Sequence, residues 1–316
     1  RSALDQFQNI MFVPYWVVSV LVVFYLFLIG PLDYFLLRRF AKRMEWTWLT
    51  LPLIVTAFCV IPYALAKHLK GKHFQMNQVE IVDIDIDSQF VRGTTWVHAY
   101  SPVTSSYDFS TQTQIPCRSN PVDHHSALIS WQGLSGTALG SMNAVSSSAG
   151  RPQPYSIRFP SDHSPAPSQI TEMPLQVWST KSLTARWWGE IDLHFMEDLR
   201  SQADKQLRGS VLNPLDDDLT ECYLYYAPWA YQIGRIPANR SITINSSSVR
   251  RNLRYKLTRR TLSEDSNIMA PWDEYSQSIP RIVEMMMFHE AAGGESYTGM
   301  FNRYQTFVDL SRHITS

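Results

Sequence analysis

The sequence predicts a membrane-anchored all-β protein. Two transmembrane helices come first, then two β-sandwich domains, the second Ig-like, and a short C-terminal helix. Three observations carry this. Two long runs near the N-terminus hold no charged residue. Most of the remaining chain alternates apolar and polar residues in short segments between turn-forming residues. One stretch near the C-terminus has helical spacing instead.

The first uncharged run is Gln6 to Leu32 and the second is Trp46 to Ala66. About 20 apolar residues span a bilayer as a helix. Backbone groups in lipid must bond internally, so both runs are expected to be helical. Pro14 sits where its missing N–H costs little. Pro52 and Pro62 are expected to bend the second span. Tyr15, Trp16, Trp46, Trp48 and Tyr63 fall near the expected interfaces, where amphipathic rings settle. The connecting loop carries Arg38, Arg39, Lys42 and Arg43, which marks it as cytoplasmic and both flanks as outside. A signal peptide fits poorly, because the first run is long, lacks a basic start and is followed by a second span.

Residues 1–72 therefore form the hairpin. Residues 73–182 are expected to form a first extracytoplasmic sandwich. Gln78 to Asp87 alternates, with a slip near Val82-Asp83 that suggests a bulge. Thr94 to Tyr100 follows as its hairpin partner. Tyr107 to Ile115, Ala127 to Trp131, Tyr155 to Phe159 and Leu175 to Thr180 read as further strands. Residues 118–153 read as Ser-, Gly- and Pro-rich loops.

Residues 183–260 are expected to form the Ig-like sandwich, opening at Leu183 to Trp188. Its strands lie around Leu207–Leu212, Leu219–Tyr226, Trp229–Gly234 and Ile242–Ile244, with a turn at Asn213-Pro214. Leu207, Val211, Cys222, Leu224, Tyr226, Ile233, Ile242 and Ile244 form the expected inward face. Residues 261–316 are a tail with one helix, Ile279 to Ala292, continuing towards a truncated β region. Ser278 is placed to cap that helix and Gly293-Gly294 to stop it. Ile279, Ile282, Val283, Met286 and Met287 make its apolar stripe.

Lys and Arg total 28 and so do Asp and Glu, which gives no basic balance for nucleic acid. Of three cysteines, Cys59 falls in the second span, while Cys117 and Cys222 can meet in an oxidising envelope. Asp123-His124-His125 is the densest ligand-like cluster, but neighbouring side chains on an extended segment point to opposite faces. His289-Glu290 offers an acid and a base, although a helix turns them apart. No catalytic residue, cofactor or metal is assigned. The candidate interface is Tyr223 and Tyr225, on the outer face of one strand, with Trp187, Trp188 and Trp229.

Ile29 to Arg39, with Glu45 to Trp48 after it, is similar to a hairpin in an uncharacterised family of bacterial envelope membrane proteins. Pro174 to Trp187, Leu207 to Gly234 and Phe288 to Gly294 resemble the same family. The resemblance implies extracytoplasmic β domains after the hairpin and a further domain before Arg1, and it implies no activity. The function expected is a non-enzymatic scaffold or accessory subunit, partnered by the bilayer and by other envelope proteins. Two other readings stay open. One is a glycan- or peptidoglycan-binding module, and the other is a hydrolase whose active part precedes Arg1.

Overall fold

The structure is a computed structural model. It describes residues 2–7, 10, 14–41, 44–111, 115, 123–132, 155–158, 168–195, 198–202, 206–226, 228–245, 247–263, 266–269, 271–301 and 306–315. Cys117 and most of the 118–153 loop lie outside these residues, so the Cys117–Cys222 pairing does too.

The chain is mostly β-sheet, preceded by two apolar helices. Helix α1 (Tyr15–Phe27) runs through a π-helical turn at Leu28–Leu32 into α2 (Asp33–Leu36). Pro31 sits in that turn, where its ring and missing N–H break the regular ladder. Helix α3 (Thr47–Leu69) returns alongside, with Phe58 packed against Phe24 and Tyr25. Two stretches, Tyr15–Arg39 and Thr47–Lys67, are long and apolar enough to cross a membrane. No residue of α1 is buried, and most of its large apolar side chains are exposed.

The first sandwich begins with β1 (Gln75–Asp85), β2 (Phe90–Ser101), β3 (Ser105–Ser110) and β4 (Asp123–Gln132). Then come β5 (Ser156–Arg158), β6 (Gln169–Leu175) and β7 (Ser179–Glu190). An antiparallel sheet of order β1-β2-β7-β4 faces a sheet of order β3-β6-β5. Ala99, Leu183, Ala185 and Ile129 meet Phe109, Ile170, Met173 and Leu175 between them. At one end the same inner face carries Trp187, packed with Val91, Ile191 and Leu193.

Four sequence expectations change here. Leu183–Trp188 does not open a second β region. It lies within β7, the central strand, paired with β2 on one side and β4 on the other. A boundary at 182/183 therefore cuts a strand, because a strand buried in mid-sheet leaves no break in composition. Leu175–Thr180 is not one strand: Leu175 ends β6, Gln176–Trp178 form the turn, with Trp178 at φ +58°, and Ser179 and Thr180 open β7. The expected bulge near Val82-Asp83 is absent: β1 and β2 stay in register from Gln75↔Tyr100 to Asp85↔Phe90. As the edge strand of its sheet, β1 can leave Val82 exposed without slipping.

The second sandwich follows with β8 (Arg200–Ser201), β9 (Leu207–Leu212), β10 (Leu219–Tyr226), β11 (Trp229–Ile236), β12 (Ser241–Ile244) and β13 (Arg250–Asn252). Its sheets have the orders β12-β9-β8 and β10-β11-β13. Leu207, Tyr231 and Ile244 are the buried centre, with Val211, Leu224, Tyr226, Trp229 and Ile233 packed round them. Asn213 fixes the expected turn. It is fully buried, and its Nδ2 donates to the carbonyls of Asp217 (2.8 Å), Ile236 (3.2 Å) and Pro237 (3.2 Å).

Helix α4 (Leu253–Thr258) leads to the hairpin β14 (Arg259–Ser263) and β15 (Ser266–Met269), so a boundary at 260/261 falls inside β14. The expected helix 279–292 is two helices, α5 (Ile279–Met287) and α6 (His289–Ala292), broken at Phe288. Ser278 makes no side-chain cap, while Gly293 ends α6 in the left-handed region at φ +119°. Helices α7 (Glu295–Thr298) and α8 (Ser311–Thr315) complete the tail, in place of the expected β region.

Candidate functional site

Helix α5 lies between the two sandwiches. Met285 and the following Phe288 pack with Ala230, Leu253, Leu257 and Ala292 against the outer face of β11. The opposite side of α5 presents Ile279, Ile282, Val283 and Met286 to a cleft of about 250 Å³. Val79, Trp96 and Ser182, from β1, β2 and β7, form the other wall, and Ala3 and Leu4 also line it. The stripe read from the sequence is thus real, but a cleft faces most of it. The walls are largely apolar. Trp272 Nε1, on one wall, is buried and has no hydrogen-bond partner among the described residues. Such a lining would suit a small apolar group carrying one acceptor oxygen.

The N-terminal residues before α1 reach this region as a strap over β1 and β2. Asn77 Nδ2 donates to the carbonyls of Leu4 (2.8 Å) and Gln6 (3.0 Å). Phe7 stacks on His98, ring centroids 5.6 Å apart. His98 is buried, with Nδ1 2.7 Å from Ser182 Oγ and Nε2 3.1 Å from Asp5 Oδ1. The order Ser–His–Asp invites a nucleophilic reading. The strand position argues against it. Ser182 sits directly opposite His98 in a strand paired on both sides, so the ladder takes up the backbone N–H groups that would stabilise an oxyanion. The three residues act as a clamp for the strap.

The predicted interface residues do not come together. Trp187 is 3 % exposed and belongs to the first sandwich core. Trp188, its neighbour on β7, is half-buried. Trp229 packs into the second core, with the Arg250 guanidinium 5.4 Å above its ring. Tyr223 and Tyr225 do share the outer face of β10, stacked at 6.2 Å. However, the protein's own tail covers that face: Phe288 lies 4.5 Å from the Tyr225 ring and Lys256 Nζ lies 3.9 Å from the centroid of Tyr223. Tyr223 keeps 38 % of its surface exposed. Period two identified the outward face correctly, but not what would cover it.

Lys256 also contacts Glu284, which Arg281 bridges at 3.2 Å. Burial, and then the Arg281 charge, pull the Lys256 ammonium down to about 8, against the opposing pull of Glu284. Burial, and then Tyr223, push the Tyr225 phenol up to about 12. Between pH 8 and 10.5 the unfolded chain holds the lysine proton and the folded one sheds it, so this lysine's contribution to stability rises with pH there. Above pH 10 the tyrosine reverses the sign, because the unfolded chain loses its proton first. Urea unfolding from pH 7 to 10 is expected to show the rise in wild type and a flatter curve in Lys256→Met. Equal slopes would show that Lys256 is not the group titrating.

Among the described residues one group has metal-capable side chains close together: His289, Glu290 and Asp309, at the start of α6. The helix does not turn His289 and Glu290 apart as expected, since their Nδ1 and Oε1 atoms are 3.5 Å apart. The side chains of Asp123, His124 and His125 lie outside the description, although their backbone forms the start of β4.

Residues 194–304 match a family described as a domain of unknown function (DUF8725). The matched span runs from the loop after β7 to beyond α7, and so takes in the second sandwich with most of its helical tail. No curated protein matches the chain.

Proposed function

We propose that the chain is a non-enzymatic scaffold or accessory subunit of a bacterial envelope assembly. Its hairpin would sit in the cytoplasmic membrane and its β domains outside, the second of them Ig-like. The observation that supports this is the pair of long apolar helices with exposed sides, whose two ends meet the same β-sheet. Large exposed apolar surface calls for lipid or a partner. The basic loop between the spans supports the orientation. The two crossover sheets of the second sandwich, with their alternating inward faces, support the Ig-like reading. A glycan-binding reading asks for a row of exposed indoles, and Trp187, Trp188 and Trp229 do not form one.

Labelling in a cysteine-free background tests the topology. Arg39→Cys should react with an impermeant maleimide only from the cytoplasmic side. Asp87→Cys, on the exposed β1–β2 turn, should react only from outside. Reaction of Asp87→Cys from the cytoplasm would overturn the orientation. Extraction in mild detergent should carry stoichiometric partner proteins, and a lone monomer would remove the scaffold reading.

A further inference from the structure

We infer that His289, Glu290 and Asp309 form a binding site for a zinc-class divalent cation, with His289 Nδ1 and one oxygen from each carboxylate as ligands.

The side chain of His289 is 9 % exposed and its orientation is fixed by its far nitrogen. Nε2 lies 3.2 Å from the Met300 carbonyl and 3.2 Å from Thr298 Oγ1. A carbonyl only accepts. The Thr298 hydroxyl directs its own proton at the Gly294 carbonyl (3.0 Å) or that of Met300 (3.2 Å), so it too faces the ring as an acceptor. Nε2 must therefore carry the ring hydrogen. In a neutral imidazole that leaves Nδ1 as a lone pair. Nδ1 is buried without a hydrogen-bond partner, and the polar atom opposite it is Glu290 Oε1 at 3.5 Å. Two lone-pair atoms then face each other with nothing positive between them, and Asp309 brings a third.

The three ligand atoms lie within 4.8 Å of one another. Zinc holds nitrogen and oxygen at about 2.0–2.2 Å, so the ligands of its usual tetrahedral site stand about 3.4 Å apart. The set must therefore close by up to about 1.4 Å, and the exposed Glu290 side chain can supply part of it. The surroundings leave room for that movement. Gly294 stands beside Glu290, where a Cβ would come within 3.2 Å of Oε2. Asp309 is held in place: Oδ1 accepts from the Ser311 N–H (2.9 Å) and Oδ2 from the Glu290 N–H (3.2 Å). A histidine that donates its second nitrogen to a backbone carbonyl is the usual outer support of a metal-bound imidazole. One imidazole with two carboxylates suits zinc or a neighbouring transition ion, whereas calcium asks for six to eight oxygens. The open positions would hold water. The ion would tie α6 to the segment before α8, across a joint also bridged by Leu310 N–H donating to Met287 O at 2.8 Å.

The competing arrangement is a metal-free imidazolium beside Glu290. The full chain, purified in mild detergent and stripped with chelator, separates the two. Calorimetric titration with zinc chloride should find one high-affinity site per chain, and calcium should not compete for it. Zinc should raise the melting temperature. Glu290→Gln keeps the shape of an exposed side chain, so the metal-free melt should stay as in wild type. Its zinc affinity should fall by more than about tenfold, since even outer partners of a metal ligand are worth that. Asp309→Asn, which can keep both accepted hydrogen bonds through its carbonyl oxygen only in part, should fall likewise. Wild-type zinc affinity in Glu290→Gln, or no saturable site in the stripped protein, would overturn the site in favour of the imidazolium.

Discussion

Replacing Trp187 with alanine is expected to unfold the first sandwich under mild conditions. A buried tryptophan cut to alanine costs about 3–5 kcal/mol, from a total of about 5–15 kcal/mol for a domain. Two local features place Trp187 at the upper end. Its Nε1 donates to Glu80 Oε1 at 2.8 Å. Its ring lies flat on Gly93, the residue opposite it on β2, where a Cβ would come within 2.0 Å of Trp187 Cε2. Gly93→Ala should therefore be nearly as damaging, because the indole has nowhere to go. The pair should not be additive. With the ring gone, the alanine methyl at 93 meets empty space, so the double variant should cost clearly less than the two singles together. The readout is urea unfolding of the detergent-solubilised chain, followed by far-ultraviolet dichroism. A Trp187→Ala cost under about 1 kcal/mol would mean the core is not packed as described.

In the second sandwich the largest effect is expected at Tyr231, which is 1 % exposed between Leu207 and Ile244. Its hydroxyl accepts the Leu207 N–H at 3.1 Å, at the start of β9. Tyr231→Ala should cost about 3–5 kcal/mol. Tyr231→Phe keeps the ring but orphans a buried N–H, and should cost about 1–3 kcal/mol. Leu224→Ala, at a half-buried neighbour, should cost about 2 kcal/mol, near the bottom of the range for leucine. If Tyr231→Phe is neutral while Leu224→Ala unfolds the domain, the core is centred one strand away from Tyr231.

That core also shows what the sequence could reveal. Of the eight residues that period two places inward, Leu207, Val211, Leu224, Tyr226, Ile233 and Ile244 pack there; Cys222, where the β10–β11 pairing shifts register, and Ile242 do not join that cluster. Tyr231 and Trp229 share the parity of Ile233, yet their residue type alone does not place them in the core. The reason is chemical: an aromatic ring with a polar atom suits a surface as well as a core, and alternation must decide between them. The strands around 207–244 were legible because turn residues bound each of them. β7 is not legible as one strand, because a central strand reads as one long segment with no punctuation at a domain edge. The metal-capable cluster was half visible as His289-Glu290. Asp309 lies some 20 residues further on, and no local pattern links it to them. The strap was invisible for the same reason: nothing in Ala3 to Phe7 says that it will lie on Asn77 and His98.

The strap makes the hairpin a handle bolted at both ends. One bolt is Asp5 with His98 and the Asn77 bonds. The other lies just past α3, where Tyr100 donates to the Lys70 carbonyl at 2.7 Å and the Lys70 ammonium sits 4.8 Å from the Trp178 ring. A domain hung from one linker swivels and samples every heading. A domain held at two points cannot turn without turning its helices; with the hairpin in a bilayer as proposed, neighbouring helices and interfacial aromatic rings would resist that. It would thus show the same flank to anything diffusing in the plane beside it. Docking then loses much of its orientational search, which is what slows most protein encounters below the diffusion limit.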